Sequence, residues 1–259
     1  MTHEEKRIYL IKYLLGESED YKNVRIPEDE EDQKMLLRSL FNVRMPAKAS
    51  DEFLKVQDEY LQEAIKEKGI TDYKQLIPTA QDIYLWQGDI TTLKCDAIVN
   101  AANSGMTGCY LPGHNCIDNV IHTYAGIQLR YECSEIMKKQ GHEEKTGLAK
   151  ITKAYNLPSK FIIHTVGPIV NGSITETSKE ELKSCYLSCI RQADEDKLQS
   201  IAFCCISTGV FGFPNEPAAK IAVDTVKEYK SKSNSKIEVI FNVFKECDYE
   251  IYKKLLGRY

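Results

Sequence analysis

The first 79 residues carry apolar positions at the spacing of amphipathic helices. Ile8, Ile11 and Leu15 recur every three or four positions, and further apolar residues follow the acidic run PEDEEDQ. A third segment begins at Ser50, a favoured N-cap residue followed by two acidic residues, and ends at a glycine. No set of side chains in this region is typical of a catalytic site. We therefore predict a helical extension over residues 1–79 that packs on the rest of the chain or, alternatively, docks a partner.

From residue 80 onwards, short apolar runs alternate with helical patterns. The strand-like runs are IYLW (83–86), AIV (97–99), KITKAY (150–155), FIIHTV (161–166), SIAFCCI (200–206) and KIEVIFNVF (236–244). Several are apolar almost throughout, as is typical of strands covered on both faces. Helical patterns begin near Ile117, at the capping-box pair Ser178 and Glu181, after Asn215, and near Tyr249. This alternation predicts a three-layer α/β domain over residues 80–259.

The composition limits the class of protein. With 42% hydrophobic and 28% charged residues, the 259-residue chain is typical of a globular protein. A net charge of −4 argues against nucleic-acid binding, which depends on clustered positive charge. The N-terminal sequence lacks the pattern of a signal peptide, and no apolar run is long enough to span a membrane. Nine scattered cysteines do not frame loops as disulfides would, so we expect reduced thiols in a cytoplasmic protein.

Three loops that follow predicted strands carry polar or glycine-rich motifs. WQGDIT presents the carboxylate of Asp89, which could equally be an ordinary turn residue. ISTGVFGFPNEP contains Gly209 and Gly212 before a helix, an arrangement that lets backbone amides and a helix N-terminus bind a phosphate. Asn100 and Asn103 follow an apolar strand, where amides also commonly cap turns. Ligands in α/β domains bind where strands end, so these loops are the candidate binding site.

The segment GCYLPGHNC places Cys109, His114 and Cys116 within eight positions. Thiolates and imidazoles are the ligands that Zn²⁺ prefers, and one short loop with this spacing can wrap a single ion. Three protein ligands leave a coordination position open, as in catalytic sites, whereas a structural site needs a fourth. Cys133 and His122 remain candidates for that fourth ligand. The alternatives are a purely structural zinc site and three residues that bind no metal.

Six segments of the chain resemble the macrodomain family of ADP-ribose-binding modules. They are GDIT (88–91), AIVNAAN (97–103), CIDNVIHTYAG (116–126), FIIHTVGP (161–168), STGVFGFP (207–214) and VIFNVFKECDYEIY (239–252). They occur in the family's order from Gln81 to the end of the sequence. The resemblance implies an α/β/α macrodomain with a mixed central sheet.

The resemblance also implies a role for each loop. Asp89 would accept a hydrogen bond from the adenine amino group beside the Ile90 amide, and Phe244 would stack on adenine. The backbone of the loop 207–213 would surround the pyrophosphate, with Phe211 against the distal ribose, whose hydroxyls Asn103 would bind. The implied ADP-ribose-binding residues are Asp89, Ile90, Asn103, Ser207, Thr208, Gly209, Val210, Phe211, Gly212, Phe213 and Phe244.

One segment departs from most hydrolytic macrodomains, which carry a run of glycines between the asparagine-rich strand end and the following acid. GCYLPGHNC takes that place here, as in a zinc-containing branch of microbial macrodomains. The resemblance then implies one Zn²⁺ ion beside the distal ribose, with Asn103 and Asp118 as the catalytic residues. Asp118 would act as a base or orient a water molecule, or it could stabilise the first turn of a helix. The ion could activate water or fix the ribose hydroxyls.

The function implied by the resemblance is hydrolysis. A zinc-dependent protein-ADP-ribosyl hydrolase would remove mono-ADP-ribose from modified side chains, with an ester at Asp or Glu as the expected linkage. The same branch implies a substrate such as a lipoyl-carrier protein modified by a sirtuin-type transferase. The alternatives are a reader module that binds ADP-ribose without cleaving it, and a deacetylase acting on O-acetyl-ADP-ribose.

Overall fold

A computed structural model describes residues 1–257, so Arg258 and Tyr259, the last positions of the predicted 80–259 domain, lie outside the described residues. The helices are α1 (His3–Leu15), α2 (Glu30–Val43), α3 (Asp51–Lys68), α4 (Ile117–Ala125), α5 (Ile127–Gln140), α6 (Glu176–Glu195), α7 (Asn215–Ser233) and α8 (Glu246–Leu255). The strands are β1 (Thr71–Asp72), β2 (Ile83–Gln87), β3 (Leu93–Lys94), β4 (Ala97–Ala102), β5 (Ala149–Lys153), β6 (Phe161–Val166), β7 (Ser200–Phe203) and β8 (Glu238–Val243).

Six strands form the central sheet in the order β2-β8-β7-β4-β6-β5, and β1 pairs separately with β3. All neighbours in the central sheet run parallel except β5, which is antiparallel to β6. The mixed sheet is therefore confirmed. Because five of the six strands share one direction, their carboxyl ends meet at one edge, where a ligand site is expected.

Helices cover both faces of the sheet, and the N-terminal helices form a further layer. The helices α6, α7 and α8 pack on one another and on the sheet, while α4 and α5 pack on β4 and β5. The helices α1, α2 and α3 pack together, and α2 and α3 also contact α4. This outer helical layer has its own apolar core, with Leu10, Phe41, Phe53 and Leu61, which extends to Ile127 of α5.

Side-chain hydrogen bonds cap the N-termini of helices in the outer layer. The Ser50 hydroxyl accepts the backbone NH of Phe53, as predicted, and α1 starts with a reciprocal capping box between Thr2 and Glu5. The buried apolar face of α1 contains Leu10, Ile11 and Leu14; the predicted positions Ile8 and Leu15 are only half-buried. No helix among residues 1–257 is long and apolar enough to cross a membrane.

Several predicted boundaries differ from the structure. The capping box of α6 joins Thr175 and Ser178 rather than Ser178 and Glu181, so the helix begins three residues earlier than the pattern indicated. β7 ends at Phe203, because the following cysteines belong to the loop. The sequence pattern did not separate α5 from α4, since only Gly126 lies between them and α5 buries Arg130.

Candidate ligand and metal site

Four adjacent strands of the sheet end in four of the predicted binding motifs. β2 leads to Asp89, β8 leads to Phe244, β7 leads to the loop 204–213, and β4 leads to Asn103. These strands are consecutive in the order β2-β8-β7-β4. With a spacing of about 4.8 Å between neighbouring strands, the four ends span about 14 Å. Motifs that are far apart in the sequence therefore lie in one row.

Asp89 is fixed by hydrogen bonds at the first end of this row. Its Oδ1 accepts from the backbone NH and the hydroxyl of Thr91 at 3.0 and 2.6 Å, and its Oδ2 lies 2.8 Å from Lys68 Nζ. Burial alone would raise the pKa of Asp89, but the bonds from Lys68 and Thr91 outweigh it and hold the pKa below its usual value. The carboxylate is therefore ionised at neutral pH.

Lys68 is a site residue that the sequence did not reveal. It ends α3, and its ammonium group lies 3.4 Å from the ring centroid of Tyr124 in α4 as well as beside Asp89. A lysine in the last turn of a helix is ordinarily a solvated residue that stabilises the helix dipole. No local pattern distinguishes Lys68 from Lys66, so only the packing of the outer layer brings it to Asp89.

Exposed apolar side chains line the same edge of the sheet. Phe244, directly after β8, is 77% exposed, and Val210 in the glycine-rich loop is 75% exposed. The Gly88 amide donates to the Val243 oxygen, and this bond ties the Asp89 loop to the end of β8. Large apolar groups exposed in neighbouring loops are typical of a ligand surface.

The loop after β7 is shaped by left-handed backbone positions. Ser207 has φ +65° and Gly212 has φ +70°. The Phe213 amide donates to the Ser207 oxygen at 2.9 Å, and this bond closes the loop. A Cβ atom at Gly212 would lie 2.9 Å from the backbone oxygen of Val170, so only glycine fits there.

The closed loop leaves donors at its tip. Its internal hydrogen bonds use the amides of Thr208, Gly212 and Phe213 but not those of Gly209, Val210 or Phe211. Successive backbone NH groups of this kind form an anion-binding concavity, and α7 begins directly behind it at Asn215. The arrangement suits a pyrophosphate without requiring a lysine.

Asp118 lies at the other end of the row, hydrogen-bonded to both asparagines of β4 and its loop. Asn100 Nδ2 donates to its Oδ1 at 2.8 Å, and Asn103 Nδ2 donates to its Oδ2 at 3.3 Å. Asn103 Nδ2 also donates to the Gly108 oxygen at 3.0 Å. Burial raises the pKa of Asp118 to about 6, against opposing effects of Asn100 and Arg130.

Behind Asp118 lies a buried group of His122, Cys133 and His164, whose candidate ligand atoms are within 4.8 Å of one another. His164 pairs with Asn100 and Thr152 at 3.1 and 2.9 Å, and burial lowers its pKa to about 3, as is typical of a hydrogen-bonded histidine in the core. His122 Nε2 lies 3.5 Å from Asp118 Oδ1. The two candidates for a fourth ligand, His122 and Cys133, are thus grouped with His164.

Cys109, His114 and Cys116 are brought together as a second group. Their ligand atoms lie within 4.8 Å of one another, and Cys109 Sγ is 3.5 Å from His114 Nδ1. Tetrahedral zinc with ordinary bond lengths holds sulfur and nitrogen ligands about 3.5–3.8 Å apart, so the donor set and its spacing fit this ion. All three residues are partly exposed, which gives an ion access.

Cys116 also caps α4. Its Sγ accepts the backbone NH of Asn119 at 3.4 Å, and a helix N-terminus stabilises a thiolate. Burial nevertheless raises the pKa of the Cys116 thiol to about 11. Because Asp118 follows two positions later in the first turn of α4, the cluster and Asp118 lie at one helix end.

Comparison with known proteins covers nearly the whole chain. The model of the Macro domain family matches residues 99–222. A protein-ADP-ribose hydrolase of Treponema medium is 58% identical over 99% of this chain and 100% of its own length. A protein-ADP-ribose hydrolase of Staphylococcus aureus is 50% identical over 96% of this chain and 94% of its own length.

Solved structures show the same architecture. A macrodomain of Oceanobacillus iheyensis with ADP aligns at a TM-score of 0.61 and 38% identity, over 66% of this chain and 88% of that one. A macrodomain of Trypanosoma brucei in complex with ADP-ribose aligns at a TM-score of 0.67 and 29% identity, over 85% of this chain and 95% of that one.

Proposed function

The chain belongs to the Macro domain family, and from this premise we propose how it acts as a protein-ADP-ribose hydrolase. The substrate is mono-ADP-ribose attached to a protein side chain, through an ester to Asp or Glu. The observation that carries the proposal is the row of strand ends from Asp89 to Asn103. Along this row lie a carboxylate and an exposed aromatic ring for adenine, then backbone amides for the pyrophosphate, and then an amide and an acid group for the distal ribose. This is the order of these parts in ADP-ribose.

The first part of the row binds the nucleotide. Asp89 is ionised and oriented by Thr91 and Lys68, so it accepts a hydrogen bond from the adenine amino group next to the Ile90 amide. Stacking on the base buries the exposed ring of Phe244. The pyrophosphate oxygens accept hydrogen bonds from backbone NH groups of the loop 207–213, at its tip. These contacts fix the ligand so that its distal ribose lies at Asn103.

Asn103 and Asp118 form the reacting end of the site. Asp118 holds the Asn103 amide in one orientation, so the Asn103 oxygen can accept a ribose hydroxyl. The Asp118 carboxylate is held by two amide donors in a buried position. In the proposed complex it serves as a base or a water-orienting group beside the bond that is cleaved.

One zinc ion at Cys109, His114 and Cys116 completes the proposed site. When bound, zinc supplies Lewis-acid chemistry at the ribose end. The side chains support this assignment through their donor types, the 3.5 Å separation of Cys109 and His114, and their partial exposure. The protein substrate proposed for this cytoplasmic enzyme is a lipoyl-carrier protein modified by a sirtuin-type transferase.

The test is release of ADP-ribose from a mono-ADP-ribosylated protein, followed by mass spectrometry with and without chelator. We expect release by the zinc-loaded protein from glutamate-linked substrate, and loss of release after chelation. Substrates linked through arginine or cysteine serve as controls for the ester. If ADP-ribose binds but the label stays on the protein in every sample, the chain is a reader and the hydrolase proposal is wrong. Turnover of O-acetyl-ADP-ribose alone would identify a deacetylase.

A further inference from the structure

Arg38 of α2 reaches from the outer helical layer to the metal loop, residues 109–116. Its Nη2 lies 2.8 Å from the backbone oxygen of His114 and 3.2 Å from Asn119 Oδ1. The same nitrogen lies 3.3 Å from Asn115 Oδ1. A charged donor thus contacts the main chain of one proposed zinc ligand, and such bonds are stronger than those between neutral groups.

Asn42 binds the same loop one turn further along α2. It is almost fully buried, and its Oδ1 accepts the backbone NH of Gly113 at 2.9 Å. Its Nδ2 donates to Thr123 Oγ1 in α4 at 2.9 Å. Arg38 and Asn42 therefore fix two consecutive positions of the loop, Gly113 and His114, from the same helix.

Arg130 of α5 joins the end of α2 to the beginning of the metal loop. Its Nη1 donates to the backbone oxygens of Phe41, Asn42 and Arg44 at 3.3, 2.5 and 2.7 Å. Its Nη2 donates to the Cys109 oxygen at 3.3 Å. Carbonyl groups at a helix C-terminus lack partners within the helix, so one buried cation satisfies them and holds Cys109.

Asn119 of α4 hydrogen-bonds both to the metal loop and to Arg38, and so links these contacts. Its Nδ2 donates to the Leu111 oxygen at 2.9 Å, its backbone NH donates to Cys116 Sγ, and its Oδ1 accepts from Arg38. Each of the three proposed ligands is therefore held by a hydrogen bond to its backbone or its sulfur. Arg38, which holds His114, and Asn42, which holds the neighbouring Gly113, belong to the outer helical layer.

We propose that α2 is a structural part of the metal site, with Arg38 and Asn42 as positioning residues that set the affinity for zinc. The inference rests on the proposed zinc site. A loop that is already ordered loses less conformational entropy when an ion binds. Groups that orient metal ligands typically change metal affinity 10–100-fold. The outer helical layer thereby acquires a role in the active site beyond packing.

The first measurement is zinc affinity, by competition with a chromophoric chelator, for the full chain and two variants. We expect Arg38→Ala to raise the zinc Kd about 10–100-fold. The matched control is Arg44→Ala, at the C-cap of the same helix, because the Arg44 guanidinium pairs with Glu17 and does not contact the metal loop. This control is expected to keep the wild-type Kd. Equal Kd values for Arg38→Ala and wild type would overturn the proposal.

A second measurement separates this inference from the zinc assignment. Hydrogen exchange of the amides in residues 109–116, in chelator-treated protein, is expected to be faster in Arg38→Ala and Asn42→Ala than in wild type and Arg44→Ala. Unchanged exchange in both variants would overturn the inference. A wild-type protein that binds no zinc would overturn the proposed metal site instead. If thermal melting shows that Arg38→Ala does not fold, Arg38→Lys, which retains a cationic donor, takes its place and is expected to bind zinc more weakly than wild type; an unchanged Kd would overturn the proposal.

Discussion

Asp89 shows at the residue scale how a side chain that stabilises a turn is also available for the proposed binding of adenine. Its Oδ1 caps the turn that follows β2, while its Oδ2 pairs with Lys68 of the outer layer. The turn-residue interpretation and the ligand-binding interpretation of the GDIT motif are therefore compatible. The carboxylate oxygens have several lone pairs, so the ionised group retains acceptor capacity for a ligand amine.

Asp89→Ala is expected to weaken ADP-ribose binding by about 1–3 kcal/mol, because the adenine amino group loses its acceptor. Isothermal titration calorimetry measures the change. Asp72→Ala is the matched control, since Asp72 also pairs with a lysine, Lys94, but lies in the separate small sheet. Native-like affinity in Asp89→Ala would show that Asp89 is only a turn residue.

Cys109→Ala and His114→Ala are each expected to lower zinc content and turnover together, because two ligands cannot hold the ion as three do. Elemental analysis and the ADP-ribose release assay give the two values. Cys247→Ala provides the control, since Cys247 is exposed in α8 and outside the cluster. A variant that lacks zinc and retains the wild-type rate would refute a catalytic metal.

Asp96 illustrates a pH effect on stability. Although burial alone would raise its pKa, bonds from Lys160 and the Gln199 amide, at 2.7 and 2.6 Å, hold the pKa below the usual value. A lowered folded-state pKa stabilises the fold above the unfolded pKa, and this contribution disappears as pH falls through the folded pKa.

Asp96→Ala is therefore expected to reduce the free energy of unfolding by about 1–3 kcal/mol at pH 7. The difference from wild type should begin to shrink below pH ~4, where the carboxylate of the unfolded chain becomes protonated, and it should be lost as pH falls through the lower folded-state pKa. Urea unfolding of both proteins at several pH values measures it. A difference that stays constant from pH 7 to pH 3 would contradict the role assigned to the charge.

Local motifs singled out Asp89, Asn103 and the group Cys109, His114 and Cys116, and the structure places Cys109 and His114 3.5 Å apart. Their roles in nucleotide and zinc binding remain predictions. The sequence did not identify Lys68 or Arg38, because ordinary surface helices contain many lysines and arginines. Their contacts depend on how one layer docks on another, which local patterns do not encode.

At the scale of elements, Gly126 decides where α4 ends and α5 begins. It has φ +99°, and a Cβ atom there would lie 2.6 Å from Gln128 Oε1 and 2.7 Å from Gln57 Nε2. Glycine is therefore required here for two reasons: the backbone has a positive φ, and α3 packs too closely to leave room for a Cβ atom. Since Cys116 caps α4 and Asp118 lies in its first turn, the position of this helix matters to the proposed site.

Gly126→Ala is expected to destabilise the fold by about 1–3 kcal/mol through backbone strain, with an additional loss from the steric clash. Gly141→Ala is the matched control, because Gly141 has φ +77° but a Cβ atom there would meet no other described residue within 4 Å. Thermal or urea unfolding measures the free energy of unfolding of both variants. Equal losses in both variants would show that packing around Gly126 contributes nothing.

Predicted elements agreed with the structure where periodicity was strong. β6 was predicted at its observed bounds, 161–166, and Ser50 was predicted as the N-cap of α3. α5 was not separated from α4 because its buried face includes Arg130 and Ser134, which do not produce an apolar stripe. Polar residues buried for tertiary hydrogen bonds thus obscure the helical period.

At the scale of the whole molecule, the sequence predicted the six strands of the central sheet but not their neighbours. β8, the last strand, inserts between β2 and β7, so residues separated by about 150 positions pair directly. An apolar run indicates that a strand is buried, but it does not indicate which strand pairs with it. The order of the row Asp89, Phe244, Ser207 and Asn103 therefore followed only from the family resemblance and the observed sheet. The proposed domain boundary at residues 79 and 80 remains a prediction.

The ion pair between Lys68 and Asp89 has a thermodynamic consequence. Any nucleotide that changes the strength of this pair also changes how firmly α3 docks, and by reciprocity firmer docking alters nucleotide affinity by the same factor. The outer helical layer and the proposed adenine end are thereby linked in a closed cycle of equilibria. A ligand at the proposed adenine end would thus change the docking of α3 through this direct contact.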